Sequence, residues 1–253
     1  MKKDTSWSAA SDWYSTYLET EEDSYQRKVI LPNLLRLLDI RKEMKILDIA
    51  CGQGFFTRAF FEAGAHAAGA DISKELIAEA KKLSPKAIPF HVAPADALTF
   101  AKKGEYDAAT IVLAVQNIEN IADVFKEAAR VLTPGGPLFM VMMHPAFRIP
   151  RGSSWDFDEE NRIQFRRVDR YLSQSRTELL VHPGKEKSPV TVSYHRSLQD
   201  LSKALAKAGF AITKIEEWIS HKESQKGPRQ QAENTARKEI PLFLMLEART
   251  GSR

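Results

Sequence analysis

The sequence predicts an α/β fold, in which a doubly wound, mostly parallel sheet carries helices on both faces. Short apolar runs alternate with helical patterns through the first half of the chain, which is typical of βαβ units. Five such runs follow one another, and a glycine-rich turn comes directly after the first. At 253 residues, with 43% hydrophobic and 28% charged, the chain can bury a sizeable core. We therefore expect one globular domain over residues 1–253.

The first half of the chain supplies the sheet-forming elements. A helical N-terminal cap is expected over residues 1–40, interrupted at Pro32 because proline removes a backbone donor. The core of the fold is expected over residues 41–144. Its predicted strands are Lys45–Ile49, Ala65–Ala70, Ala87–Val92, Ala108–Ala114 and Leu138–Met143. Its predicted helices are Phe55–Ala63, Ser73–Lys82 and Ile121–Val131, with Ser73 as an N-cap.

The pattern changes after the fifth strand, and residues 145–196 read as an insertion. Alternation in "YLSQSRTELLV" and "PVTVSYH" favours a hairpin, and we expect the insertion to act as a lid. A closing unit follows over residues 197–253. Its predicted elements are a helix at Leu198–Ala208, a strand at Ala211–Trp218, a loop with a short helix at Gln231–Arg237 and a last strand at Leu242–Ala248.

Composition predicts a cytoplasmic protein with no membrane partner and no metal. The N-terminus "MKKDTSWSAASDWY" lacks the apolar segment of a secretory signal. The longest apolar stretch, "PLFMVMMHPAF", is too short to span a bilayer. Cys51 is the only cysteine, so the sequence offers neither a disulfide framework nor a cysteine cluster for zinc. We interpret Cys51 as a small packing residue.

The net charge of +4 is unevenly distributed along the chain. Residues 1–144 carry 17 Lys and Arg against 19 Asp and Glu, whereas residues 145–253 carry 20 against 14. A basic second half is compatible with a phosphate-bearing partner, including RNA. The signs are mixed, however, and a solvated face is the favoured interpretation.

The turn in "LDIACGQGFFT" predicts a ligand site at the end of the first strand. Gly52 and Gly54 allow a tight turn and a close approach of ligand to backbone. A dinucleotide site would need a third glycine where Thr57 stands. Asp48, just before the turn, would repel a pyrophosphate but attract an ammonium group. An NAD-dependent oxidoreductase is therefore the disfavoured alternative.

Two further acids follow the second and third predicted strands. Asp71 is placed to accept hydrogen bonds from both hydroxyls of a ribose, and Asp96 from the exocyclic amino group of an adenine. For either acid alone, a helix cap or turn residue is the favoured interpretation. Because the ends of parallel strands share one edge of the sheet, we expect the three acids in one site. A ligand with an ammonium group, a ribose and an adenine would match them, and S-adenosylmethionine has all three.

These residues resemble the class I S-adenosylmethionine-dependent methyltransferases, and within them the small-molecule domains of types 11 and 25. The resemblance covers roughly residues 31–141 and rests on "LDIACGQG", Asp71, "ADA" at Asp96 and "YDAATIVLAVQNIEN". It implies a Rossmann-like, seven-stranded sheet with the last strand antiparallel, and S-adenosyl-L-homocysteine as the cofactor product. Alanine at position 50, where the family most often has glycine, is a departure. The cofactor-binding residues expected on these grounds are Asp48, Ala50, Gly52, Gly54, Asp71, Ile72, Asp96, Ala97, Ala114, Gln116 and Asn117.

For the methyl acceptor, the sequence favours a small molecule. His144, after the fifth strand, is a candidate general base or alternatively a strand-end cap. His195 reads as an anchor of the following helix, with catalysis the lesser alternative. Candidate substrate or lid residues are Tyr14, Trp155, Phe157 and Tyr171, which packing explains equally well. An RNA- or protein-modifying methyltransferase and a non-catalytic cofactor-binding protein remain alternatives, and the oligomeric state is open.

Overall fold

The computed structural model describes residues 11–181, 188 and 190–251, and eleven strands lie within them. In chain order the strands are β1 (Lys45–Ile49), β2 (His66–Asp71), β3 (Phe90–Val92), β4 (Ala108–Val112), β5 (Pro137–Met143), β6 (Ser153–Asp158), β7 (Ile163–Val168), β8 (Ser175–Leu180), β9 (Val190–His195), β10 (Phe210–Trp218) and β11 (Phe243–Thr250). Seven of them form the central sheet, in the order β10-β11-β5-β4-β1-β2-β3. The other four form two hairpins, β6–β7 and β8–β9.

The directions of the strands confirm the predicted fold class. Strands β1 to β5 run parallel, and β11 is antiparallel to both β5 and β10. Along the sheet the chain order reverses between β1 and β4. In an open α/β sheet, ligands bind outside the carboxyl ends of the strands at such a reversal.

The helices lie on both faces of this sheet. They are α1 (Ser11–Thr20), α2 (Leu31–Leu38), α3 (Phe55–Glu62), α4 (Lys74–Leu83), α5 (Ile121–Val131), α6 (Leu198–Lys207) and α7 (Gln230–Glu239), with one π-helical turn at Gln26–Ile30. Ser73 caps α4 as predicted, because its Oγ accepts from the Leu76 N–H at 3.2 Å. In the described ranges, no helix is both long and apolar enough to cross a bilayer.

Three predicted boundaries were wrong, each for a local reason. The N-terminal helices break at residues 21–24 and not at Pro32, which sits in the first turn of α2, where its missing N–H is tolerated. Strand β3 begins after Pro89, which has no N–H for the sheet. Strand β4 ends at Val112 because Leu113 takes a left-handed backbone with φ 55°.

Side-chain alternation along the strands builds a core on each face of the sheet. From β1, Leu47 is fully buried in the cluster that includes Phe125 of α5 and Leu205 of α6. Its neighbour Ile46 is fully buried in the opposite cluster, which includes Phe60 of α3. Because both faces are covered, β1 is apolar from Ile46 to Ile49 except for Asp48, and Lys45 begins the strand at its exposed end. The polar residue thus stands out at the strand's carboxyl end.

Candidate functional site

A cavity of about 1220 Å³ opens where the sheet order reverses. Its walls come from the loops after β1, β2, β3 and β4 on one side and from the β8–β9 hairpin, through residues such as Leu179 and Val192, on the other. Small-molecule sites usually measure about 300–1,000 Å³. The cavity therefore has room for a cofactor and a second small molecule side by side.

Asp48 lies in the wall of this cavity and is almost completely buried. Its Oδ2 accepts from the Thr57 hydroxyl at 2.7 Å, and its Oδ1 from the Thr110 hydroxyl at 2.9 Å. Burial raises the pKa of Asp48 to about 6, and the two hydroxyl hydrogen bonds oppose that rise. The negative charge of buried Asp48 is therefore energetically unfavourable, and a nearby cation would stabilise it.

The turn after β1 has a left-handed residue at every second position. Ala50, Gly52 and Gly54 have φ of 57°, 58° and 81°. Ala50 and Gly52 line the cavity, but Gly54 does not. A Cβ on Gly54 would lie 2.8 Å from the Phe90 ring, so glycine is needed there for backbone shape and packing. The predicted ligand contact of Gly54 is therefore not found.

Cys51 lies between these turn residues and is half-buried. Its Sγ would be 2.8 Å from a Cβ placed on Gly69 of β2, which shows how tightly it packs. Burial raises the pKa of the thiol well above its usual value, so the thiol stays protonated. Both observations agree with a packing residue.

Asp71 ends β2 and ties two segments of the site together. Its Oδ2 accepts from the Gly52 N–H at 2.9 Å, and its Oδ1 from the Ser73 N–H at 2.8 Å. A carboxylate offers about four acceptor positions, so capacity remains for ligand hydroxyls. Burial raises the pKa of Asp71, against the lowering effect of the backbone donors. Asp71 and its neighbour Ile72 both line the cavity.

The loop after β3 brings Asp96 to the same cavity, together with Pro94. Ala97 does not line it, because its N–H donates to the Pro94 carbonyl at 3.0 Å and closes a turn. The predicted ligand contact of Ala97 is therefore not found. Asp48, Asp71 and Asp96 do meet at one edge of the sheet, as their positions after strands predict.

The exit from β4 contributes Ala114, Gln116 and Asn117, and all three line the cavity. The strained Leu113 carbonyl accepts from Gln116 Nε2 at 2.8 Å and from Asn117 Nδ2 at 3.2 Å. This leaves the buried Oε1 of Gln116 without a hydrogen-bond partner in the described part of the chain. It is an acceptor available to a ligand donor.

His144 is not among the residues that line the cavity, and its role as a general base stays a prediction. Its Nδ1 accepts from the Ala146 N–H at 3.2 Å, and its Nε2 lies 2.7 Å from Glu217 Oε1. Both ring nitrogens are therefore occupied, and the side chain is buried. Burial lowers the pKa of His144, although the Glu217 carboxylate opposes this. The alternative interpretation, a residue that fixes the strand end, fits this geometry.

His195, at the end of β9, does line the cavity and is buried. Its Nε2 lies 2.7 Å from the Tyr171 carbonyl oxygen. Since a carbonyl can only accept, Nε2 carries the proton and Nδ1 is the basic nitrogen of the neutral ring. Of the two candidate histidines, His195 is the one that lines the cavity.

Three of the predicted lid aromatics, Trp155, Phe157 and Tyr171, do not line the cavity. The Tyr171 hydroxyl accepts from the Leu198 N–H at 3.0 Å and so caps α6. Phe157 packs under the guanidinium of Arg229, 4.3 Å from its ring centroid. Trp155 lies beneath two arginines that do line the cavity. The aromatics therefore support the insertion and its arginines from behind.

At the N-terminus, α1 forms part of the wall through Leu18. The backbone of Tyr14 lies in α1, but its side chain is outside the described part of the structure, so its predicted contact stays a prediction. Glu19 holds α1 in place because its Oε1 accepts from Gln53 Nε2 at 3.1 Å and pairs with Arg58. The glycine turn and the N-terminal helix are thus linked directly.

Sequence reasoning missed the arginines that line the cavity. Arg148 and Arg166 belong to the insertion, and both contribute to the wall. For Arg166 the sequence signal is the basic run "RRVDRY" at residues 166–171, which belongs to the basic second half for which a solvated face is the favoured interpretation. Which arginine of that run faces inward depends on the hairpin, and the run itself does not encode it.

Comparisons with known proteins agree with this geometry. A family model described as a methyltransferase domain matches residues 47–140. The crystal structure of an S-adenosylmethionine-dependent methyltransferase from Mesorhizobium loti is 26% identical, with a TM-score of 0.69 over 92% of this chain and 99% of that one.

Two curated relatives are similar over part of their length. A demethylmenaquinone methyltransferase from Chlorobaculum parvum is 32% identical over 131 residues, which is 51% of this chain and 54% of that protein. A ubiquinone biosynthesis O-methyltransferase from Methylococcus capsulatus is 25% identical over 169 residues, 60% of this chain and 70% of that protein. Residues 47–140 thus match a methyltransferase domain, and together with the fold these similarities support a class I S-adenosylmethionine-dependent methyltransferase.

Proposed function

We propose that this protein transfers the methyl group of S-adenosylmethionine to a small-molecule acceptor bound under the β8–β9 hairpin. The observation that carries the proposal is the cavity of about 1220 Å³, acidic along the strand ends and bordered by the insertion on the other side. A cofactor in the acidic half leaves the other half for the acceptor. A concave cavity of this kind is typical of a small-molecule site.

The residues of the acidic half suit each part of the cofactor. Asp71 would accept from the ribose hydroxyls, and Asp96 with Pro94 would border the adenine. The ammonium group would lie on the side of Asp48, whose buried charge needs compensation, with Gln116 Oε1 as a further acceptor. Bound S-adenosylmethionine supplies a methyl group on a positively charged sulfur. The protein's tasks are to align the acceptor with that bond and to exclude water.

His195 is the residue we assign to proton removal from an acceptor that needs it. It lines the cavity, and the Tyr171 carbonyl fixes the tautomer that leaves Nδ1 basic. His195→Gln keeps a donor for Tyr171 but removes the base. We expect single-turnover methyl transfer to slow on the order of 100-fold.

The control for this variant is His66→Gln, at the opposite end of the sheet, where His66 is exposed and pairs with Glu43. Affinity for S-adenosylhomocysteine should be the same in both variants, because His195 is assigned to the acceptor. An unchanged pH–rate profile in His195→Gln would remove it from proton transfer.

The relatives inform the class of acceptor. Those named above are demethylmenaquinone and ubiquinone-biosynthesis methyltransferases, which favours a small ring-containing acceptor here as well. RNA is the second candidate, on the strength of the basic residues in the second half of the chain alone. A specific RNA complex would weaken steeply with salt.

Calorimetry and label transfer test the proposal together. We expect S-adenosylmethionine and S-adenosylhomocysteine to bind and NAD not to bind. Label from methyl-labelled S-adenosylmethionine should appear in the small-molecule fraction of a cell extract and not in its RNA or protein. Binding of NAD alone, or transfer of label only to RNA, would contradict the proposal.

A further inference from the structure

The acceptor half of the cavity is positively charged. Among the described residues, those that line it include five arginines, all from the insertion or its end: Arg148, Arg151, Arg166, Arg176 and Arg196. The acids in the lining are Asp48 and Asp71, near the ends of β1 and β2, and Asp96 and Glu119, from the loops after β3 and β4. The arginines therefore come from the insertion and the acids from the sheet, and the two groups meet where Arg196 donates to the Glu119 carbonyl.

Three of the five arginines already have local roles. Arg176 pairs with the Glu178 carboxylate at 3.0 Å. Arg151 donates to the Glu178 backbone carbonyl at 3.3 Å. Arg196 donates to the backbone carbonyls of Ile118, at 2.9 Å, and of Glu119, and so anchors the loop after β4. These contacts anchor the three side chains, but of the three only Arg176 has its charge offset by a carboxylate, since Arg151 and Arg196 bond to neutral carbonyls.

Arg166 is held in place by neutral groups. Its Nε donates to the Phe147 carbonyl at 2.7 Å, and its Nη2 to the Ser153 hydroxyl at 2.8 Å. In the part of the chain that the structure describes, it has no carboxylate partner. Its orientation is therefore fixed while its charge is left uncompensated.

Of the two remaining arginines, Arg148 has the less favourable surroundings. Its Nε is buried with no hydrogen-bond partner among the described residues. Burial, followed by repulsion from Arg166 and Arg237, lowers the pKa of Arg148 to about 10. A half-buried guanidinium beside two others is unfavourable unless a negative charge joins them. The ring of Trp155 supports both cavity-lining arginines, with guanidinium carbons 5.1 Å and 5.2 Å from its centroid.

We propose that Arg148 and Arg166 form an anion-binding subsite that takes the carboxylate or phosphate group of the methyl acceptor. The inference rests on the proposed function, because it places that group in the acceptor half of the same cavity. Guanidinium groups recognise both anions through paired N–H donors. The acceptor is thus a small acid with a ring or aliphatic body that fits beside apolar residues such as Ile149 and Leu179.

The test uses simple probes on the protein saturated with S-adenosylhomocysteine. Benzoate and phenyl phosphate are compared by calorimetry with benzamide, which has the shape of benzoate without its charge. We expect at least one anion to bind about tenfold or more tightly than benzamide. The tighter of the two anions identifies whether the group is a carboxylate or a phosphate.

Variants locate the subsite. Arg148→Gln and Arg166→Gln should each weaken anion binding by about tenfold or more, while affinity for S-adenosylhomocysteine stays at the wild-type value. Arg167→Gln is the matched control, because Arg167 is adjacent on β7 but exposed and paired with Asp169. If Arg166→Gln fails to fold, Arg166→Lys replaces it in the test, because lysine retains the positive charge. Arg166→Lys should bind the anions more tightly than Arg148→Gln does.

Three results would overturn the subsite: equal binding of benzamide and the anions, no anion binding at millimolar concentration, or equal losses in Arg148→Gln and Arg167→Gln. If RNA binds, and the glutamine variants of Arg148, Arg166 and Arg167 all weaken RNA binding to the same extent, these arginines form an RNA-binding surface and not an anion subsite. Failure of S-adenosylhomocysteine to bind the wild-type protein would contradict the proposed function itself. That outcome is distinct from a failed anion subsite.

Discussion

Asp71→Ala is expected to lower the affinity for S-adenosylhomocysteine on the order of 100- to 1000-fold. The carboxylate has acceptor capacity left on the cavity side after it accepts from the Gly52 and Ser73 N–H groups. A hydrogen bond from a ligand hydroxyl to a charged group contributes roughly 1.5–3 kcal/mol, and a ribose offers two such hydroxyls. Isothermal titration calorimetry measures the loss directly.

Because Asp71 also holds the glycine turn, the substitution alone does not separate ligand contact from turn structure. A cofactor analogue without the two ribose hydroxyls resolves this. Removing the hydroxyls should weaken binding to the wild-type protein but make little further difference in Asp71→Ala. Asp107→Ala is the control, since Asp107 also accepts a strand N–H, from Lys45, at the other end of the sheet. Equal sensitivity to the missing hydroxyls in wild type and Asp71→Ala would show that Asp71 does not contact the ribose.

Asp48→Asn is expected to stabilise the ligand-free protein and to weaken the binding of S-adenosylmethionine. The pKa of Asp48 is raised to about 6 in the folded protein, against about 4 in an unfolded chain. Its ionisation therefore costs the folded state up to roughly 3 kcal/mol at pH 8 and almost nothing below pH 4. An asparagine can still hydrogen-bond to Thr57 and Thr110 but cannot attract a cation.

Denaturant unfolding at pH 8 and pH 4.5 checks the sign of this effect. The variant should be more stable than wild type at pH 8, and the difference should shrink towards pH 4.5, where Asp48 is largely protonated in the folded state. Wild-type affinity for S-adenosylmethionine should rise as pH increases through about 6, and the variant should lack this dependence. Asp107→Asn, at an exposed position, is the control. Lower stability of Asp48→Asn at pH 8 would contradict the account.

The sheet and the acidic half of the site could be predicted because they follow from local order along the chain. Asp48 and Asp71 end apolar strands and Asp96 closely follows one, and parallel strands bring their carboxyl ends to one edge. Leu113 and Ala50 show the limit of this reasoning. Their left-handed backbones, at φ 55° and 57°, are set by the turn they occupy and not by residue preference.

The acceptor half could not be predicted, because side-chain direction there depends on distant partners. The side chain of His144 is directed by Glu217 of β10, and that of His195 by the Tyr171 carbonyl. In the β6–β7 hairpin, Arg166 lines the cavity while the adjacent Arg167 is exposed. A shift of one residue in register exchanges two such side chains, and a basic run does not specify that register.

The central claim, a cofactor pocket along the carboxyl ends of the strands, is tested most directly by a crystal structure with S-adenosylhomocysteine. The account predicts ribose hydroxyls on the carboxylate of Asp71, the adenine beside Asp96, and the sulfur directed towards the chamber beneath the β8–β9 hairpin. Binding of the nucleoside outside the cavity of Asp48 and Asp71, or with its ribose away from Asp71, would contradict it.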